Sequence, residues 1–129
     1  MLSLGLGCAP DARAPAGGAI SFDAIYENIF DVVGCTAAFC HAGGVGLGGL
    51  DLEGREHAYA SLVGVPAAGE ACRASGLPRV APGDPEGSLL FLKLAGRAPC
   101  GLAMPPGAPL AADQIARVRR WIEDGARRP

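Results

Sequence analysis

The chain has 129 residues, a formal net charge of −2 and only 5% aromatic residues. Because nucleic-acid binding needs a basic surface and aromatic side chains that stack on bases, this composition argues against a nucleic-acid partner. The 20 glycines and 11 prolines leave room for a few helices joined by long connections. Five cysteines in so short a chain favour an oxidising compartment, and their odd number leaves one outside any set of disulfides.

Residues 1–19 are predicted to form a leader and linker ahead of a single domain over residues 20–127. A short apolar run ends at Gly7 and Cys8 and is followed by Ala, Pro and Asp. This order resembles the end of a bacterial lipoprotein signal, in which the cysteine carries the lipid. The resemblance implies an exported protein that is anchored to a membrane through Cys8. The alternative is an apolar N-terminal segment with a stray thiol.

The first predicted helix begins at Ser21, a residue type that suits an N-cap, and ends at Gly34. Asp23 falls in its first turn, where a carboxylate interacts favourably with the helix dipole. Apolar residues recur at helical spacing along this segment and predict one buried stripe, made of Phe22, Ile25, Ile29, Phe30 and Val33.

The segment after this helix contains Cys35, Cys40 and His41. A Cys-His pair shortly after another cysteine indicates covalent haem attachment, although the usual spacing is Cys-x-x-Cys-His and here four residues separate the cysteines. The alternative is a disulfide between Cys35 and Cys40. A zinc site is a weaker interpretation, since no Cys-x-x-Cys pair occurs and only His41 and His57 could join the thiols. Residues 42–52 follow as a glycine-rich loop.

Three further helices are predicted downstream. A short helix over residues 54–65 is followed by a long irregular connection and then by a helix that begins at Ser88 and stops at Gly96. The last helix, over residues 111–126, has the clearest pattern, and Gly125 suits its C′ position. No alternating apolar and polar run of useful length occurs, so the predicted fold class is all-α. The residues predicted to face inward are Ala58, Leu62, Val63, Ile115, Val118, Trp121 and Ile122, with Trp121 between the first and last helices.

The order of these features is more specific than any one of them. Between the cysteine segment and the last helix lies a turn formed by Met104, Pro105, Pro106 and Gly107. The last helix carries the pattern Ile115, Val118, Trp121 and Ile122, followed by Gly125 and Ala126. Over residues 21–126 the chain resembles a class I c-type cytochrome domain, of the kind found in bacterial exported lipoproteins. The resemblance implies a small cytochrome-c-like helical domain with long irregular loops.

The same resemblance implies a role for five residues. Cys35 and Cys40 would form thioethers to one haem c, despite the atypical spacing between them. His41 and Met104 would be the axial ligands of its iron, a pair that suits electron transfer. Arg79 would pair with a haem propionate, because a guanidinium binds carboxylates well; the alternative is a solvated loop arginine.

Cys72 and Cys100 flank the third predicted helix, and we expect a disulfide between them. It would tie the long connection to the loop that carries Met104. A mixed pairing such as Cys35–Cys72 is the alternative, since four cysteines allow three connectivities. His57 is predicted to face solvent.

The leading hypothesis is a monomeric electron carrier, not an enzyme, since no Ser-His-Asp set or carboxylate pair is evident. It would act in the periplasm or outer cell envelope, exchange electrons with a redox partner protein and contact the membrane through Cys8. One alternative is a haem-free, disulfide-stabilised cytochrome-like structural or interaction module. Another is a thiol redox protein that uses Cys35 and Cys40, which would need a lowered thiol pKa.

Overall fold

The computed structural model describes residues 19–37, 40–43 and 47–128. Cys8 and the predicted leader up to residue 18 lie outside these ranges. The leader, the lipid on Cys8 and the domain limits at residues 20 and 127 therefore stay predictions. In the ranges that are described, no helix has the length and hydropathy needed to cross a bilayer.

The first helix, α1, covers residues 22–33 without a break and changes type in its middle. Ser21 begins it as predicted, because the Ser21 hydroxyl accepts a hydrogen bond from the amide of Ala24 at 3.1 Å. Gly34 ends it in the left-handed conformation, with a φ of 93° that disfavours any residue with a side chain. The three segments are α-helical Phe22–Ile25, π-helical Tyr26–Phe30 and α-helical Asp31–Val33.

The remaining helices are α2 (Arg55–Leu62), α3 (Leu89–Leu94) and α4 (Ala112–Glu123). Short 3₁₀ turns occur at Leu47–Gly49, Arg73–Ser75 and Pro85–Gly87. The described residues contain no β-strand and only two isolated bridges, Val63 with Val80 and Pro66 with Pro78. The prediction of a small helical domain without a sheet is confirmed to that extent.

The core lies where α1 meets α4. Phe22 and Trp121 are fully buried, and their ring centroids are 5.3 Å apart, so Trp121 packs between the first and last helices as predicted. Val118 and Ile122 are also fully buried on the inner face of α4. Ile115 was expected on the same face but is only partly buried, because it lies at the edge of a surface groove beside Met104.

The connection between α2 and α3 is irregular but well bonded. Val63 leaves α2 to bridge Val80, which explains why the helix ends earlier than predicted and why Val63 is only partly buried. Ser88 occupies the N-cap position of α3 but makes no capping hydrogen bond. Its hydroxyl instead accepts from the amide of Ala81 at 2.8 Å and donates to the carbonyl of Asp84 at 2.8 Å. A fully buried serine therefore holds this loop against the start of α3.

A disulfide joins Cys72 to Cys100, with their Cα atoms 5.2 Å apart and a sequence separation of 28. The predicted pairing is confirmed, and the mixed pairing of Cys35 with Cys72 is wrong. The bridge ties the connection after α2 to the loop after α3, and Cys72 is buried beside Ala67 and Leu89.

Candidate functional site

The position of Cys35 is set by the way α1 ends. With Gly34 in the left-handed conformation, the amide of Cys35 donates to the carbonyl of Phe30 at 2.9 Å, a bond typical of a Schellman cap. The chain then folds back, since Ala37 donates to the carbonyl of Gly34 at 3.1 Å and Cys40 to that of Ala37 at 2.9 Å. This turn brings the two cysteines to one end of α1. Ala38 and Phe39, within the four-residue spacing, lie outside the described residues.

Both cysteines are free thiols and both are partly buried. Burial raises the pKa of the Cys35 thiol, and the nearby Cys40 raises it further because two neighbouring thiolates would repel each other. A raised pKa keeps the Cys35 thiol protonated near neutral pH. This disfavours Cys35 as the attacking thiolate of a redox pair.

The backbone at Cys40 and His41 is hydrogen-bonded to the glycine-rich loop at two points. Its carbonyl accepts from the amide of Leu52 at 2.6 Å, and the carbonyl of the preceding Cys40 accepts from Leu47 at 2.8 Å. The imidazole is partly buried, and its buried Nδ1 makes no hydrogen bond within the part of the chain that is described. A buried polar atom without a partner costs about 1–3 kcal/mol, a cost that a ligand or a bridging water removes.

The surroundings of His41 favour its neutral form. Burial lowers the pKa of the imidazole, and the positive charges of Arg79 and Lys93 lower it further. Weak hydrogen bonding of the imidazole with the backbone of Leu47 and Leu50 raises the pKa again, but less than burial lowers it. A neutral imidazole is the form that binds a metal, so the site keeps His41 ready to act as a ligand.

Arg79 is only 7% exposed, so the alternative of a solvated loop arginine is wrong. Its guanidinium donates to the carbonyl of Ser61 at 2.8 Å and to the carbonyl of Gly48 at 3.2 Å. Among the described residues no carboxylate lies within ion-pair distance of it. A buried cation with only neutral acceptors is costly, and an anionic ligand would compensate it.

Met104 is partly buried and packs against the same core cluster as Cys35. Its amide donates to the carbonyl of Lys93 at 3.1 Å, and the Met104–Pro105 peptide is cis. An open groove of about 390 Å³ runs along this loop, between Met104, Leu94 and Ile115.

Two cations link parts of the predicted site. The charge of Lys93 lowers the pKa of His41, and its ammonium and carbonyl bind the loop that carries Met104. The charge of Arg79 also lowers the pKa of His41, and its guanidinium binds the glycine-rich loop. The groove beside Met104 does not include His41. His57 is exposed, as predicted, and lines a separate surface depression with Glu53 and Arg128.

Sequence reasoning missed Lys93. The signal available was its place as the one charged residue in the apolar stretch of α3, where a lysine must find partners or turn outward.

Comparison of the chain with protein-family models, with curated proteins and with solved structures finds no match. The site must therefore be interpreted from its own chemistry. That chemistry consists of two free thiols, a neutral-favoured imidazole with an unpartnered ring nitrogen, a thioether and two cations.

Proposed function

We propose that this chain is an electron-transfer c-type cytochrome domain that binds one covalently attached haem. The observation that carries the proposal is the His41 imidazole, next to the free thiols of Cys35 and Cys40: burial lowers its pKa, and its buried Nδ1 makes no direct hydrogen bond among the described residues. These residues fit the group, since an iron ligand must be an unprotonated nitrogen and thioether formation needs unpaired cysteines.

In this proposal each side chain has a distinct task. The thiols of Cys35 and Cys40 would hold the haem by adding their S–H bonds across its two vinyl groups, an addition that needs no oxidant. His41 and Met104 would hold the iron through a nitrogen and a sulfur. The haem would supply an iron that gains and loses one electron, and His/Met ligation would raise its potential. With both ligands in place no iron position would remain for a substrate, which favours a carrier.

The two cations near His41 have a task as well. Within the described ranges Arg79 is buried without a carboxylate partner, whereas the ammonium of Lys93 binds two backbone carbonyls. A propionate paired with Arg79 would offset the cost of holding its charge away from water.

The environment of the protein follows from its cysteines. The Cys72–Cys100 disulfide fits an oxidising compartment, which is consistent with export to the periplasm or outer cell envelope. A redox partner protein there would exchange electrons with the domain, and a lipid on Cys8 would hold the monomer at a membrane.

A haem-free structural or interaction module is the second candidate. It is favoured by the continuous hydrophobic cluster that α1, α3 and α4 already form, together with the Cys72–Cys100 disulfide. A domain with such a core could fold without a prosthetic group.

Intact mass separates these candidates. The full chain is produced in a bacterium that has c-type haem attachment machinery, then denatured and weighed. The proposal predicts a gain of one haem, a loss of two hydrogens for Cys72–Cys100, and visible absorption that stays with the protein through acid-acetone extraction. Cys40→Ser should lose most of the covalent haem, while the matched variant Cys72→Ser should keep it. A colourless wild-type protein with the mass of the bare chain would overturn the proposal in favour of the module.

A further inference from the structure

Lys93 is the only lysine of the chain, and its partly exposed ammonium donates hydrogen bonds to backbone oxygens. Lys93 lies in the last turn of α3, and its Nζ donates to the carbonyl of Cys100 at 3.1 Å and to that of Leu102 at 2.9 Å. No carboxylate of the described residues pairs with it. The charge of this residue is therefore committed to two backbone oxygens of the loop that follows α3.

The backbone of the same residue holds the far side of that loop. The amide of Met104 donates to the carbonyl of Lys93 at 3.1 Å. Three hydrogen bonds from one residue thus fix the loop at Cys100, Leu102 and Met104. The Cys72–Cys100 disulfide fixes its first residue again, so the four residues before Met104 have little freedom.

Gly101 gives independent evidence that the loop closes around the ammonium. Its φ is +67°, and a Cβ at this position would lie 2.7 Å from Nζ of Lys93 and 3.4 Å from Sγ of Cys72. A side chain here would crowd the ammonium, which could move aside only by weakening its hydrogen bonds to the two carbonyls. The positive φ also favours glycine at this position, so a substitution here disturbs the loop through its backbone as well as through the lysine.

We propose that Lys93 is the positioning residue for Met104. By holding residues 100–104 at three points, it fixes where the thioether of Met104 stands relative to the imidazole of His41. This inference rests on the proposed function, because it concerns the presentation of an axial ligand. Lys93 itself does not touch the iron in this scheme.

The test compares three variants of the full chain, each with haem attached and without it. Lys93→Met keeps the length and apolar stem of the side chain but removes the donor. Gly101→Ala keeps the charge of Lys93 but occupies the space that its ammonium needs. Arg97→Met is the control, since it removes an exposed cation just after α3 that pairs with Glu86 and does not bind the loop.

Two readouts are used. In the haem-free chain, exchange of the Met104 amide with solvent should be at least about tenfold faster in Lys93→Met and Gly101→Ala than in wild type or Arg97→Met. In the haem-bound protein, the first two variants should keep their covalent haem by mass but lose the sulfur-to-iron charge-transfer absorption and show a lower reduction potential.

The outcomes distinguish failure of the proposed function from failure of the positioning role of Lys93. A wild-type protein that takes up no haem overturns the proposed function, and the positioning role falls with it. A wild-type protein that carries haem with methionine ligation, together with Lys93→Met and Gly101→Ala variants that keep both the absorption and the slow amide exchange, overturns the positioning role alone. If Lys93→Met lowers the potential but leaves exchange of the Met104 amide as slow as in wild type, the effect of Lys93 is one of charge and the clamp is wrong.

Discussion

At the scale of single residues, His41 makes the stability of the folded domain depend on pH. The unfolded chain binds a proton at His41 near pH 6.5, whereas burial lowers the pKa of the folded state below that value. Between the two pKa values the unfolded state binds more protons than the folded state. The contribution of His41 to stability is therefore complete above about pH 6.5 and is lost as the pH falls toward the folded pKa.

The resulting prediction concerns the haem-free chain. Its free energy of unfolding in urea should fall between pH 7.5 and pH 5, and His41→Gln should remove part of that fall. The exposed His57 offers a matched control, so His57→Gln should keep the wild-type profile. Identical pH profiles for wild type and His41→Gln would show that the burial of this imidazole has no energetic consequence.

Part of the candidate site could be predicted from single residues. Cys40 and His41 are adjacent in sequence and Cys35 is five positions before Cys40, so this group of residues can be recognised before folding is considered. The unpartnered ring nitrogen of His41 and the burial of Arg79 could not be predicted in this way, because they depend on contacts with Ser61 and the glycine-rich loop far along the chain. The role of Lys93 was hidden for the same reason.

At the scale of elements, the two ends of α4 differ in how completely their backbone groups are capped. Helix α4 ends in a complete Schellman motif, in which Ala126 donates to the carbonyl of Trp121 at 2.9 Å and Gly125 to that of Ile122 at 3.0 Å. Its start is weaker. Ala111 has the extended backbone of an N-cap but no side-chain acceptor, and the only side-chain help is Gln114, whose Oε1 accepts from the Ala111 amide at 3.0 Å.

Ala111→Ser should therefore stabilise the domain by about 1 kcal/mol, because a serine hydroxyl would accept from the amide of the third helical residue and complete the capping box. The urea midpoint of unfolding should rise accordingly. Ala112→Ser is the control, since Ala112 is equally exposed but already inside the helix, and it should give no gain. An equal effect of both substitutions would contradict the capping argument.

The sequence patterns predicted where the helices lie better than how they are built. Ser21 and Gly34 bound α1 because capping and left-handed backbone depend on local chemistry alone. The π-helical Tyr26–Phe30 segment was not predicted, since the spacing of the apolar stripe fits an α-helix. Ser88 was predicted as a capping side chain, but the loop from Ala81 to Asp84 competes for its hydroxyl and prevails.

At the scale of the whole molecule, one covalent link joins distant parts of the described chain. The Cys72–Cys100 disulfide closes a loop with a sequence separation of 28, which restricts the unfolded chain by about 3–4 kcal/mol in the chain-entropy model. A domain of this size has about 5–15 kcal/mol of stability in total. The bridge is thus a large share of what keeps the irregular half of the molecule folded.

Replacing both Cys72 and Cys100 by serine should lower the free energy of unfolding of the haem-free chain by about 3–4 kcal/mol, as measured by urea titration followed by circular dichroism. The control is the double replacement of Cys35 and Cys40, which are free thiols, and its effect should be much smaller. If the two double variants lose equal stability, the bridge does not form in solution.

The single lysine of the chain has a consequence for how its motions can be observed. Amine-directed labels and crosslinkers find one side-chain target here, and the carbonyls of Cys100 and Leu102 accept hydrogen bonds from it. The labelling rate of Lys93 therefore depends on how firmly the loop before Met104 holds its ammonium. Comparing this rate with that of a fully exposed lysine in a short peptide, by peptide mapping, would measure that hold with no engineered probe in the protein.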